Sequence, residues 1–100
     1  MSDQKSREWF ALRVTSEEPA REAVEYALME SGAMGTVTGE PTDGLLDVVG
    51  YFDDAPDRER IRIELLEAFR IYDLPTSSAH DMSVEKVDNR DWLAEWKIYF

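Results

Sequence analysis

The sequence predicts an α+β fold of the ferredoxin-like type, a split βαβ sandwich with an additional C-terminal helix. Three observations carry this expectation. Hydrophobic periodicity switches between two and 3.6 residues in the order β-α-β-β-α-β. A tight-turn signal, Asp43-Gly44, falls between the second and third strands and makes the middle pair a hairpin. The chain has 100 residues, enough for one core and one domain. Right-handed crossovers then place both helices on one face of an antiparallel sheet.

The elements follow in order. From Glu8 to Thr15, "EWFALRVT" alternates, with Phe10, Leu12 and Val14 on one face and Trp9, Ala11 and Arg13 on the other. Ser16 reads as the cap of a first helix, with Glu17 and Glu18 at its positive end and Pro19 in its first turn. Ala20, Val24, Ala27, Leu28 and Ser31 recur at helical spacing, and Gly32 supplies the left-handed cap that ends the run. A short strand spans Met34 to Thr38. "PTDG", Pro41 to Gly44, is the hairpin turn. "LLDVVGYF" follows, apolar on both parities, which suits a central strand.

Asp54 and Asp57 offer caps for a second helix, whose stripe is Ile61, Leu65, Phe69 and Tyr72 and whose end is Leu74-Pro75. "TSSA" reads as a loop, His80 to Val87 as the last strand, and Arg90 to Phe100 as a third helix capped by Asp88 or Asn89.

Composition narrows the function. Twenty-two acids against eleven bases give a net charge of −11, which opposes direct binding to nucleic acid or to anionic membranes. The acidity reads either as a solubility device or as attraction for a basic protein partner. The chain has no cysteine, so it has no thiolate nucleophile and no Cys-ligated zinc. No apolar run approaches the roughly 20 residues of a membrane span, and a cytoplasmic location is expected.

The motifs mostly have structural readings. Gly32, Gly35 and Gly39 match no phosphate-binding fingerprint, and they leave a helix C-terminus, where carbonyls repel anions. The single histidine, His80, reads as a surface strand residue. Carboxylate pairs such as Asp53-Asp54 have no titratable partner of another type in view, so no acid–base assignment follows. No catalytic, cofactor-binding or metal-binding residue is expected in this chain.

The terminal run is the exception. "DWLAEWKIYF" puts Trp92, Trp96 and Tyr99 on one helical face, which either folds back on the open face of the sheet or meets something beyond this chain. It resembles the "D-W-L-x-x-W-K-x-Y" signature of the methyltransferases that act on large-subunit ribosomal protein eleven. "W-F-x-L-x-V" at Trp9 to Val14, "ESGAMG" at Glu30 to Gly35 and an acidic hairpin leading to "VVGYF" agree in order. The likeness runs from Trp9 onward; "MSDQKSRE" has no counterpart in it.

The resemblance implies an N-terminal piece of a longer enzyme. Residues 1–88 would be a substrate-recognition domain for a basic ribosomal protein, and residues 89–100 the start of an interdomain helix. Asp91, Trp92, Trp96, Lys97 and Tyr99 would then take the interdomain or partner contact. S-adenosylmethionine would belong to a catalytic domain beyond this chain, together with a glycine-rich loop and an N-P-P-like motif. Trp9, Asp43 and Asp47 are candidates for the recognition surface. The alternative is a stand-alone ferredoxin-like module for small-ligand sensing or dimerisation, which could self-associate through the terminal helix.

Overall fold

The structure, a computed structural model, describes residues 8–88. Strand β1 spans Glu8–Glu17, helix α1 Arg21–Glu30, β2 Gly35–Thr38, β3 Leu45–Phe52, α2 Arg58–Ile71 and β4 Ala79–Asp88. The sheet order is β2-β3-β1-β4, and every neighbouring pair is antiparallel. β1 and β2 thus run parallel with β3 between them, and β3 and β4 run parallel with β1 between them. This is the split βαβ arrangement read from the sequence. The expected terminal helix, with Asp91, Trp92, Trp96, Lys97 and Tyr99, lies outside the described residues; Asp88, a proposed cap for it, ends β4.

The core follows the two periodicities. Leu12 and Val14 of β1 meet Leu46, Val48 and Phe52 of β3, all buried. Ala23, Val24, Ala27 and Leu28 of α1 and Ile61, Leu65, Ala68 and Phe69 of α2 close the layer from one side. The small residues of α1 let it sit close to the sheet. At Gly50, an added Cβ would lie 3.2 Å from Leu28 Cδ1 and 3.4 Å from Leu28 Cβ, so helix and strand meet where one residue has no side chain.

The hairpin has the expected geometry. Asp43 (φ 56°) and Gly44 (φ 81°) both take positive φ, and Thr42 and Leu45 exchange backbone hydrogen bonds at 2.7 and 3.0 Å. That is a two-residue turn whose twist matches the strands it joins. β3 is central, as its two apolar parities imply.

Two details differ from the sequence reading, and a third is decided between the two residues it offered. Ser16 does not cap a helix. β1 continues through it, and its side chain is buried in the inner face, with Leu46 opposite on β3 and Ala79 on β4. Pairing on both sides outweighs a local cap, and a 3-10 turn at Glu18–Ala20 makes the entry to α1 without a side-chain cap. Of the two aspartates before α2, Asp57 is the cap. Its Oδ1 accepts from Glu59 N at 3.0 Å and Arg60 N at 3.4 Å. Finally, Tyr72 is exposed at the end of α2, where Asp73 takes positive φ and Leu74 N donates to Phe69 O at 2.8 Å, a Schellman closure without glycine.

Candidate functional site

Two surfaces remain once the core is accounted for. The first is the face of the sheet opposite the helices. Strand parity assigns Trp9, Ala11, Arg13 and Thr15 to it, with Asp47, Val49 and Tyr51 beside them on β3 and Asp81, Ser83, Glu85 and Val87 on β4. Ala11 lies between Tyr51 and Glu85, and Trp9 lies opposite Val87. One end of the face is therefore aromatic and apolar. The other end carries Asp47 and Asp81 on either side of Thr15.

Among the expected recognition residues, Trp9 is half-buried on this face, as its parity requires. Asp47 sits in β3, within the strand read from "LLDVVGYF". Thr15 Oγ1 donates to its Oδ1 at 2.6 Å, and Arg13 Nε lies 3.8 Å from its Oδ2. The ion pair is solvent-exposed and contributes at most about 1 kcal/mol. Its main effect is to fix the carboxylate and offset part of its charge. Asp43 is at the exposed tip of the hairpin, held there by its backbone. The three candidates thus occupy three separate places: the aromatic end of the face, its polar end, and the turn.

The second surface is a groove at the β4 edge of the sheet, about 240 Å³, between that strand and α2. Its floor is apolar, built from Val14, Leu65, Phe69 and Met82, and Leu66 and Arg62 of α2 stand on its rim. Leu66 is 45% exposed. Two polar contacts lie beside the groove. The β1–β4 register steps between Thr15 and Ser16, which face Asp81 and Ala79, so His80 is an extra residue on β4. The extra residue lets the His80 ring reach across the end of β1 to Glu17, with Nε2 and Oε2 3.1 Å apart. On the other side, Arg58 Nη2 donates to Met82 O at 3.3 Å and ties the first turn of α2 to the strand. Arg62 and Leu66 flank the Ile61–Leu65–Phe69 stripe on its Phe69 side, and the sequence does not say which strand lies beside that flank.

Among the described residues, no group of three or more His, Cys, Asp or Glu side chains is placed to hold a metal ion. Hydrogen bonding from Arg70 to Glu67 holds that guanidinium above its ordinary range, and both groups are surface residues of α2. No helix among the described residues is long and apolar enough to cross a membrane. Among the described residues the arrangement is one of surfaces, a sheet face on which Trp9, Ala11, Val49 and Tyr51 are half-buried and a groove at the β4 edge.

Comparison with known proteins gives these surfaces a context. The chain is 29% identical over 103 residues to the ribosomal protein L11 methyltransferase of Myxococcus xanthus (strain DK1622), covering 92% of this chain and 33% of that protein. Ribosomal protein methyltransferases are what this chain resembles. It is 26% identical over 116 residues to the ribosomal protein L11 methyltransferase of Thermoanaerobacter sp. (strain X514), covering 92% of this chain and 37% of that protein. The chain thus spans about a third of the length of the curated relatives it matches. No protein-family model matches it.

Solved structures agree on the fold. The C-terminal domain of the MgtC protein from Mycobacterium tuberculosis superposes with a TM-score of 0.57 at 11% identity, over 85% of this chain and 93% of that one. CPII, a nitrogen regulatory PII-like protein from Thiomonas intermedia K12 bound to ADP, AMP and bicarbonate, gives 0.52 at 16% identity, over 80% and 88%. At these identities the likeness is one of architecture, the ferredoxin-like α+β sandwich, and carries no ligand with it.

Proposed function

We propose that this chain is the substrate-recognition domain of a ribosomal protein methyltransferase and binds a basic ribosomal protein, L11 being the first candidate. One observation carries the reading: 92% of the chain matches ribosomal protein L11 methyltransferases while spanning about a third of their length. A domain with exposed faces and an excess of acids suits the task of holding a basic protein. Unlike charges speed encounter and orient it, and the surfaces described above supply apolar contact. Methyl transfer and S-adenosylmethionine would belong to the remaining two-thirds of such an enzyme, acting in the cytoplasm. Tethering recognition to catalysis raises the concentration of target amines at the reacting centre.

In this reading, residues 1–88 form the recognition unit and residues 89–100 begin the connection to the catalytic unit. Asp91, Trp92, Trp96, Lys97 and Tyr99 would mediate that connection. Trp9 and the carboxylates of Asp43 and Asp47 remain candidate contacts on the recognition side. The test is calorimetric titration of the chain with recombinant ribosomal protein L11 at low and at moderate salt. Saturable binding that weakens as salt rises is expected. Absence of binding at both salt concentrations would overturn the reading. Sedimentation as a salt-independent dimer that ignores the ribosomal protein would favour the dimerisation module instead.

A further inference from the structure

We propose that the groove between β4 and α2 is a strand-addition site. It takes an extended segment of a basic protein, seating an apolar side chain in the groove and setting basic side chains against Asp81 and Glu85. The proposal rests on the recognition reading above and specifies the mode of contact.

Backbone geometry supplies the first reason. β4 is ten residues long and stands at the edge of the sheet, where no strand among the described residues pairs with its outer side. The Met82 carbonyl accepts from Arg58, so it points away from β1. The two-residue repeat of a strand then directs the N–H and C=O of Val84 outward too. An added strand can pair with these groups, and such main-chain bonds give affinity without regard to sequence. Arg58 is exposed and covers only the Met82 carbonyl, one of the devices by which edge strands resist indiscriminate pairing.

The groove supplies the second reason. Met82 and Val84 face the helix side of the sheet, next to the apolar floor of Leu65 and Phe69 and the exposed rim of Leu66. An incoming strand opposite them sends alternate side chains toward that floor. A volume of about 240 Å³ suits one or two side chains and falls below the ~300–1,000 Å³ of pockets that enclose small ligands. The occupant that fits is a protein segment.

Charge supplies the third reason and selects the partner. On the opposite face of β4, Asp81 and Glu85 are exposed and four residues apart. Residues across from them in an added strand sit about 5 Å away, where an opposite charge is favourable and a like charge is not. A segment alternating basic and apolar residues satisfies both faces at once. A second copy of this chain satisfies them poorly, because each copy carries a net charge of −11.

The experiment titrates the isotope-labelled 100-residue chain with recombinant ribosomal protein L11, following amide exchange and affinity. The Met82 and Val84 amides should become protected in the complex. Val84→Pro should weaken binding about tenfold while the core amides keep their protection, since proline is tolerated where an edge N–H faces outward. The double variant Asp81→Lys/Glu85→Lys, on exposed positions, should weaken binding by a similar factor even if Val84→Pro disturbs the strand. Equal binding by the wild type and both variants, with the Met82 and Val84 amides unprotected, overturns the groove and leaves the recognition reading standing. No binding by the wild type overturns both. Protection of these amides in the chain alone, with a dimer that Val84→Pro dissociates, assigns the edge to a second copy and overturns the proposal.

Discussion

Gly50 offers a quantitative test of the helix–sheet packing, because two opposing effects meet there and the structure decides the sign. In a strand with open space above it, Gly→Ala stabilises by about 0.4–1 kcal/mol, chiefly by restricting the unfolded chain. At Gly50 the added methyl lies 3.2 Å from Leu28 Cδ1, 3.4 Å from Leu28 Cβ and 3.4 Å from Phe52 Cε1. The Leu28 terminus can rotate away by a few tenths of an ångström. Leu28 is wholly buried, so that rotation presses its terminus into the packed core, while the two 3.4 Å contacts are at ordinary van der Waals distance. Overpacking of this kind costs about 1–3 kcal/mol. Gly50→Ala should therefore destabilise the domain by about 1 kcal/mol, and Gly50→Val by about 3 kcal/mol, since two further methyls enter the same space. Urea unfolding followed by tryptophan fluorescence would measure both, with unchanged m-values expected. The double variant Leu28→Ala/Gly50→Ala should be more stable than the sum of its parts by about 1 kcal/mol, because the smaller side chain at position 28 makes room. A stabilising Gly50→Ala, or strictly additive effects, would refute the close approach of α1 and β3.

Two further outcomes test local features. Asp57→Ala removes the side chain that accepts from Glu59 and Arg60, and should cost about 1 kcal/mol in urea unfolding while Asp54→Ala costs little. Asp43 holds φ 56°, so Asp43→Asn should be nearly neutral and Asp43→Val should lose about 1–2 kcal/mol by the same measurement.

The strand order was legible because each element carries its own period and because Asp43-Gly44 admits few turns other than a tight hairpin. β3 was legible as central, since apolar residues on both parities need cover on both faces. Trp9 and Arg13 were placed on the open face by alternation alone. Ser16 was misread because Ser-Glu-Glu-Pro is a good local cap, whereas its position was decided by Leu46 and Ala79, distant in sequence. Gly50 gave no signal, because its requirement comes from where Leu28 lands. The edge groove was illegible for the same reason: it exists only once α2 is laid beside β4 and the register steps at His80. Asp47 was assigned to the recognition surface by its charge, and only the β1–β3 register shows that Thr15 and Arg13 already engage it.

In the proposed function, this chain recognises the protein substrate of a methyltransferase. A domain exchange tests it most directly. Deleting the matched third of the Myxococcus xanthus enzyme should abolish methylation of ribosomal protein L11, and installing this chain in its place should restore it, with S-adenosylmethionine binding unchanged throughout. A folded hybrid that binds the cofactor yet transfers no methyl group to the ribosomal protein would contradict the claim.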